Sequence, residues 1–548
     1  MGDRDPASDI LSELAVAAAD RGPSVPALLA AQPADAVALI HEEERISFGA
    51  LDARARRVAG GLAALGVGEG DRVAIWLPNL PAYLELFVAC CHLGAIAVAV
   101  NTRFRSVEVG DIVGRSGAKV LVYWPGFKGI DFAGILGEVD PAALPGLEHL
   151  IALDGAPAAA LPGVTGLAYD RLKAAEPLAE SRARPELPCK IFTTSGTTSK
   201  PKFVLHNQAT ATRHGLDVAE GFGYAAADTV LLQAIPFCGV FGFAQIMGAL
   251  AGGSPSVLMP VFEAAAAAAV MRRHRVTHTN GSDDMVDRLL AVGEGRPPYP
   301  DLRFVAYARF NPAQEDVVER AEAAGLTVVG LYGMSECMAL FSHQPLDAPA
   351  ERRKQGGGIP VSPAAEIRVR DRESGRLLPP GENGELEIRA PSVMIGYYGN
   401  PEATREAFTE DRFLKTGDLA TLTPDGGFLF LNRMGDALRL GGFLVNPQEI
   451  EAHLLTHPAV AGCQVVGVTQ GSRPRAAAFV VLEAGQGADE AALIAHCQGR
   501  LARFKVPLRV FVVADFPVTQ SANGIKIQRK VLRARAQEEV DRMVAEAS

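Results

Sequence analysis

The sequence is poor in aromatic residues, which make up 6% of it, with only 2 tryptophans in 548 positions. It has no basic surplus. Lys and Arg total 53 against 63 Asp and Glu, for a net charge of −10. That argues against a general nucleic-acid binder, which carries a basic excess, although an acidic protein can still hold a locally basic site. The seven cysteines (Cys90, Cys91, Cys189, Cys238, Cys337, Cys463 and Cys497) form no C-x-x-C pair and have no histidine cluster beside them. Their scatter speaks against a zinc site or a disulfide framework and for a reducing, cytoplasmic compartment. The start, "MGDRDPASDILSEL", has no basic-then-apolar signal pattern. No apolar run reaches the roughly 20 residues of a membrane span. The longest, "AYLELFVACCHLGAIAVAV" at 82–100, carries Glu85 and His92 and reads as a buried helix, so no integral membrane segment is expected.

What is present is ordinary globular composition, 48% apolar and 21% charged. The length suits about three or four domain-sized units. Residues 47–66 place apolar side chains at helical spacing, with Ser47 set to cap the first turn. "DRVAIWLPN" (71–79) and "AKVLVYW" (118–124) read as buried strands, and "FEAAAAAAVMRRH" (262–274) as helix. Strands alternate with helices to about residue 360, which predicts α/β layers on a mainly parallel sheet. From about 365 the pattern becomes short alternating strands with glycine-rich turns, "AEIRVRD", "GELEIRA" and "GFLFLNR". These predict a small antiparallel or barrel-like unit. After Arg433, "NPQEIEAHLLTH", "GCQVVGVT", "AAAFVVLE" and "LRVFVVADFP" suggest a separate α+β lid. The expected division is residues 1–433 and 434–548.

One stretch, "KIFTTSGTTSKPKFV" (190–204), raises a question of chemistry. Five of the six residues from Thr193 to Thr198 carry a small hydroxyl, and Lys200 and Lys202 follow. A Ser/Thr/Gly loop after a strand can turn backbone N–H groups and hydroxyls toward phosphate oxygens, and lysines can neutralise their charge. Alone, the same residues equally describe a polar surface turn. The pattern G-x-x-x-x-G-K-[ST] does not fit, because Ser199 stands where its second glycine belongs.

Order resolves the ambiguity. The loop is followed by "GLYGMSE" (330–336), "KTGDLA" (415–420), "NRMGDALRLGGFLVNPQEIE" (432–451) and "ANGIKIQR" (522–529). Five motifs in this order, over about residues 25–535, resemble the adenylate-forming superfamily of acyl-CoA synthetases, peptide-synthetase adenylation domains and luciferases. The resemblance implies a carboxylic acid coupled to ATP as an acyl-adenylate, with pyrophosphate released and a thiol then displacing AMP. It implies that Thr194, Ser195, Gly196, Thr197 and Thr198 cradle the phosphates with Lys202. Tyr332 would lie beside adenine, with Gly333 and Ser335 in the same turn. Glu336 would hold Mg²⁺, a hard ion suited to carboxylate oxygen. Asp418 and Arg433 would meet the ribose. Lys526 would bridge the acid and the α-phosphate, making Lys526, Glu336 and Thr194 the catalytic set. In the segment 438–445, Arg439, Gly441 and Gly442 would border the CoA channel.

The sequence also departs from the family pattern. Ser199 and Phe203 replace loop glycines, and Phe203 is expected to stiffen the loop or pack on a neighbouring helix. In "IPFCGVFGF" (235–243), aligned on Pro236 and Gly242, Cys238 stands at the usual Phe and Gly239 at the usual His. That leaves room for a bulkier hydrophobic acid, lined partly by Phe237 and Phe241. Cys238 reads as a small apolar residue and not as a nucleophile. Arg309 in "AYARFNPA" reads as a surface residue or a contact for a second substrate carboxylate. Gly435 takes the hinge position and suggests a looser hinge. The leading expectation is an AMP-forming acyl-CoA ligase that uses ATP, Mg²⁺ and CoA. An acyl-AMP ligase loading a carrier protein, a nucleotide-binding homologue without turnover, and a homo-oligomer are left open.

Overall fold

Ser47 ends a short strand and caps the helix Phe48–Ala64, its Oγ accepting from Ala50 N at 3.1 Å. The cap expected from the sequence is therefore in place. The computed structural model describes residues 22–155, 157, 161–194, 201–309, 316–372, 374–433, 438–441, 443–445, 447–521 and 524–546. The apolar run at 82–100 is not one helix. It is the helix Pro81–Leu93, a left-handed Gly94 (φ 71°), and the strand Ile96–Ala99. A glycine at a helix C-terminus takes this conformation without a Cβ penalty and so turns the chain into the sheet. Its two polar residues are matched inside the fold. Glu85 accepts from the Tyr169 hydroxyl at 2.8 Å, and His92 Nε2 lies 2.9 Å from Asp52.

Two large sheets organise the chain up to Arg433. One has eight strands, in the order Gly396–Tyr397, Lys202–Asn207, Pro188–Thr194, Ile96–Ala99, Arg72–Trp76, Val120–Tyr123, His149–Ala152 and Thr165–Ala168. From Pro188–Thr194 onward its neighbours are parallel, while Lys202–Asn207 returns antiparallel on the other side. The second sheet has fourteen strands. Its parallel half includes Leu231–Gln233, His278–Ser282, Phe304–Ala308 and Val328–Tyr332. The strands Glu366–Arg370, Asn383–Arg389, Leu414–Leu422 and Phe428–Arg433 are antiparallel, as the alternation predicts. They also continue the large sheet, joined to it through Gly356–Pro360.

Helices Pro81–Leu93 and Val240–Ala251 lie between the sheets, buried almost all round, with Phe87 and Phe243 edge to face at 4.9 Å. After residue 438 the chain makes a hairpin (Leu438–Leu440 with Phe443–Val445) and a three-stranded sheet with its own apolar core. A last hairpin pairs Val518–Ser521 with Gly524–Ile527, and the helix Arg529–Glu546 follows. All seven cysteines are free thiols. No described helix is long and apolar enough to cross a membrane.

Candidate active site

Tyr332, Glu336, Asp418 and Lys202 gather where the strand Val328–Tyr332 ends against Leu414–Leu422 and Gly396–Tyr397. Ligands of open α/β sheets favour such carboxyl ends of parallel strands. Tyr332 is the last residue of its strand. Its hydroxyl donates to Asp418 Oδ2 at 2.6 Å, so two residues 86 positions apart meet directly. Phe428 and Phe430 pack around the Tyr332 ring, with centroids at 5.1 and 5.7 Å. Asp418 lies opposite Arg433 in the register of the antiparallel pair.

Gly333 has no room for a Cβ, which would stand 2.5 Å from Ala339 Cα. The turn that follows is strained. Met338, Ala339 and Leu340 all have positive φ (65°, 49° and 43°). Each such non-glycine residue costs about 1–2 kcal/mol. Two buried histidines hold the turn: His206 Nε2 donates to the Ser335 carbonyl at 2.8 Å, and His214 Nε2 to the Ala339 carbonyl at 2.7 Å. Burial pushes both imidazoles down to about 4, so both are neutral.

Glu336, buried in this turn, accepts from the Tyr397 hydroxyl at 2.9 Å through Oε1. The Tyr397 ring in turn carries the Lys202 ammonium, 4.6 Å from its centroid. Tyr397 thus links the carboxylate and the cation that the motifs single out, and motif reading missed it. "GYYGN" (396–400) offers only an aromatic pair before an Asn-Pro helix start as a signal. Lys202 and Thr194 face each other across the hairpin. Ser195, Gly196, Thr197 and Thr198 lie outside the described residues, as do Gly435 and Gly442. Phe203 is buried, and the Arg115 guanidinium lies 4.3 Å over its ring. Arg115 also donates to the Pro201 carbonyl at 2.6 Å, which ties the loop's exit to the helix Ser106–Ser116.

The segment 235–243 splits in two. Phe237 is 1% exposed and turns into the core against Tyr83, with centroids 5.6 Å apart. Cys238, Gly239 and Phe241 are partly exposed. Burial pushes the Cys238 thiol up to about 11, against the pull of the Lys190 charge, so it is no ready nucleophile. Gly242 is obligatory, since a Cβ there would lie 2.2 Å from the Ile235 carbonyl oxygen. Beneath the segment, the fully buried Lys190 donates to Tyr83 Oη at 2.6 Å, and Tyr83 donates to the Phe237 carbonyl at 2.9 Å. Rings of Phe87, Phe192 and Phe243 surround the ammonium at 5.1–5.7 Å. Burial pulls Lys190 down to about 8. This support was not read from the sequence, where a lysine in a strand gives no sign of burial.

Farther along the chain, Lys526 sits in the strand Gly524–Ile527, opposite Thr519. Gly441 has φ 58°, and a Cβ there would meet Phe504 Cβ at 2.9 Å. Arg439 pairs in strand register with Leu444.

The chain is similar to known proteins over most of its length. The chain matches the AMP-binding enzyme family over residues 28–398 and the AMP-binding enzyme C-terminal domain over 449–523. It is 32% identical over 516 residues to Triostin synthetase I of Streptomyces triostinicus, covering 92% of each chain. It is 31% identical over 525 residues to a sulfoacetate–CoA ligase of Cupriavidus necator, covering 95% of this chain and 97% of the relative. Among solved structures, a double mutant of o-succinylbenzoate CoA synthetase (MenE) from Bacillus subtilis, bound with its product analogue OSB-NCoA, superposes with a TM-score of 0.79. It is 27% identical and covers 94% of this chain and 98% of that one. The Bacillus subtilis synthetase in complex with AMP gives a TM-score of 0.64, again at 27% identity, covering 93% and 98%. Motif order, the geometry around Tyr332, and a family match running through most of the length agree, and the chain belongs to the AMP-binding enzyme family as an adenylate-forming enzyme of the acyl-CoA synthetase type.

Proposed function

We propose that the chain activates a hydrophobic carboxylic acid (fatty, aryl or alicyclic) with ATP to acyl-AMP and pyrophosphate, then transfers the acyl group to CoA. The observation that carries this reading is the convergence of Tyr332–Asp418 with Glu336–Tyr397–Lys202 at one strand end. An aromatic face, a diol acceptor, a hard oxygen ligand and a cation are the parts a nucleoside triphosphate needs. Asp418 and Arg433 would take the ribose, Tyr332 with Gly333 and Ser335 the adenine, and Lys202 with the loop Thr194–Thr198 the phosphates. A buried carboxylate steadied through one oxygen fits Mg²⁺, which keeps water and phosphate as its other ligands. Glu336 would hold that ion, which would offset phosphate charge.

In the first step a carboxylate oxygen attacks the α-phosphorus and pyrophosphate leaves. Lys526 would set its ammonium against the charge growing there. In the second step the CoA sulfur attacks the acyl carbon and the bond to AMP breaks. Gly239 in place of a bulky side chain, with Cys238 and Phe241 beside it, supports an apolar acyl group. Arg439, Gly441 and Gly442 would border the thiol's path, and Gly435 would absorb the hinge motion. The free thiols support a reducing, cytoplasmic setting.

Lys526→Ala tests the assignment of roles. Preorganised donors of this kind are worth roughly 3–4 kcal/mol. Pyrophosphate release should therefore fall by about 10²–10³-fold, while thioester formation from supplied acyl-AMP persists. Equal loss of both steps would contradict the role given to Lys526.

A further inference from the structure

The segment 500–505 of the C-terminal part rests on the N-terminus of the helix Ser106–Ser116. Glu108 is the meeting point. Its Oε2 accepts from Arg105 N at 2.9 Å and so caps its own helix, while its Oε1 accepts from Ala502 N at 2.9 Å. Lys505 Nζ lies 3.5 Å from Glu108 Oε1 and 2.8 Å from Glu449 Oε2. The lysine and Glu108 side chains are each 8% exposed, and Glu449 is 11% exposed. Burial opposes the lysine charge, but Glu449 and Glu108 outweigh it, and Lys505 is held protonated. Phe104 lies beside the ammonium, 5.4 Å away, and Arg500 faces Glu138 at 3.7 Å at the rim.

A buried charge triad is stable only when complete, and removing one member strands the others. Lys505 and Glu449 belong to the same part of the chain and stay together in any orientation of it. Glu108 belongs to the other part, so it completes the triad only where segment 500–505 rests on its helix. The whole chain superposes on the o-succinylbenzoate synthetase with its product analogue at a TM-score of 0.79 and on the synthetase with AMP at 0.64.

We infer that Glu108, Lys505 and Glu449 form an interdomain latch that positions the C-terminal part for thiol transfer and takes no part in adenylation. This rests on the two-step reaction proposed above. The three are positioning residues and touch no reacting atom. A latch of this kind acts on one half-reaction alone, because it exists in one orientation alone.

The experiment uses the full chain, with two readouts. In single turnovers with Mg-ATP and each of octanoate, benzoate, ferulate and sulfoacetate, pyrophosphate reports the first step. CoA added afterwards reports the second. Lys505→Met should release pyrophosphate at the wild-type rate and form thioester about 10–100-fold more slowly. Lys505→Arg should recover most of that loss. Glu108→Gln should slow the same step, and the double variant should be no slower than either single one. Wild-type thioester rates in Lys505→Met, or an equal loss in both steps, would overturn the latch.

The second readout needs no acid. The distance between spin labels at Asp170→Cys and Gln486→Cys, both exposed positions, should be narrowly distributed in the wild-type background and broad in Lys505→Met. An unchanged distribution overturns the latch even if none of the four acids is activated, a result that would count against the proposed substrates and not against the latch.

Discussion

Tyr397 donates to a buried carboxylate with its hydroxyl and carries an ammonium on its ring. A hydrogen bond to a charged group is worth about 1.5–3 kcal/mol, so Tyr397→Phe should lower the adenylation rate about 10- to 100-fold and raise the magnesium concentration needed for half-maximal rate. Titrating pyrophosphate release with Mg²⁺ checks this, and an unshifted titration would separate Tyr397 from Glu336. His206 and His214 give a second residue-level prediction. Their pKa values fall from the ordinary 6.5 to about 4 in the folded chain. Each buried Nδ1 has no hydrogen-bond partner among the described residues, so a proton there would be a buried charge unmatched by them. The unfolded chain therefore binds more protons than the folded one between pH 6.5 and 4. The stability they contribute is complete above about pH 6.5 and is lost as pH falls toward 4, up to about 2 kcal/mol each by pH 5. Denaturant unfolding at pH 7.5 and 5.0 should show that loss, and a His206→Asn, His214→Asn chain should show a shallower slope. Tyr332, Glu336 and Asp418 could be singled out in the sequence because their motifs are local. Tyr397 and His206 were not, because their partners lie 61 and 129 residues away.

At the scale of elements, the sequence was legible wherever one residue sets a boundary. Ser47 starts a helix, and the alternation in "AEIRVRD" and "GELEIRA" makes antiparallel strands. The run at 82–100 was harder, because a helix and a strand buried on all sides are both uniformly apolar, and only Gly94 marks the break between them. The segment 235–243 contains two glycines of opposite tolerance. At Gly242 a Cβ would meet the Ile235 and Pro236 carbonyl oxygens at 2.2 and 2.6 Å, and backbone cannot yield cheaply. At Gly239 the nearest atom is the Pro236 carbonyl oxygen at 3.4 Å. Gly242→Ala should cost about 1–3 kcal/mol, as overpacking does, while Gly239→Ala should leave the melting temperature nearly unchanged. Thermal unfolding of the two variants decides, and equal melting temperatures would mean the segment can shift.

For the molecule as a whole, the helix Ser106–Ser116 touches both halves of the problem. Its last turn holds the Pro201 carbonyl and the Phe203 ring through Arg115, and its first turn meets the C-terminal part through Glu108. Motif order made the family readable from sequence, since five local patterns each carry their own chemistry. The contacts between the two parts were not readable, because Glu108 and Ala502 are 394 residues apart and neither stands in a motif. The central claim is an acid–thiol ligation driven by ATP. The measurement that tests it most directly is AMP formation by the purified chain with Mg-ATP over a panel of fatty, aryl and alicyclic acids, with and without CoA. Multiple turnovers that require CoA, with an acyl-thioester formed in equal amount to AMP, are the predicted result. AMP or pyrophosphate released once per chain and indifferent to CoA would contradict it and point to a carrier-protein acceptor.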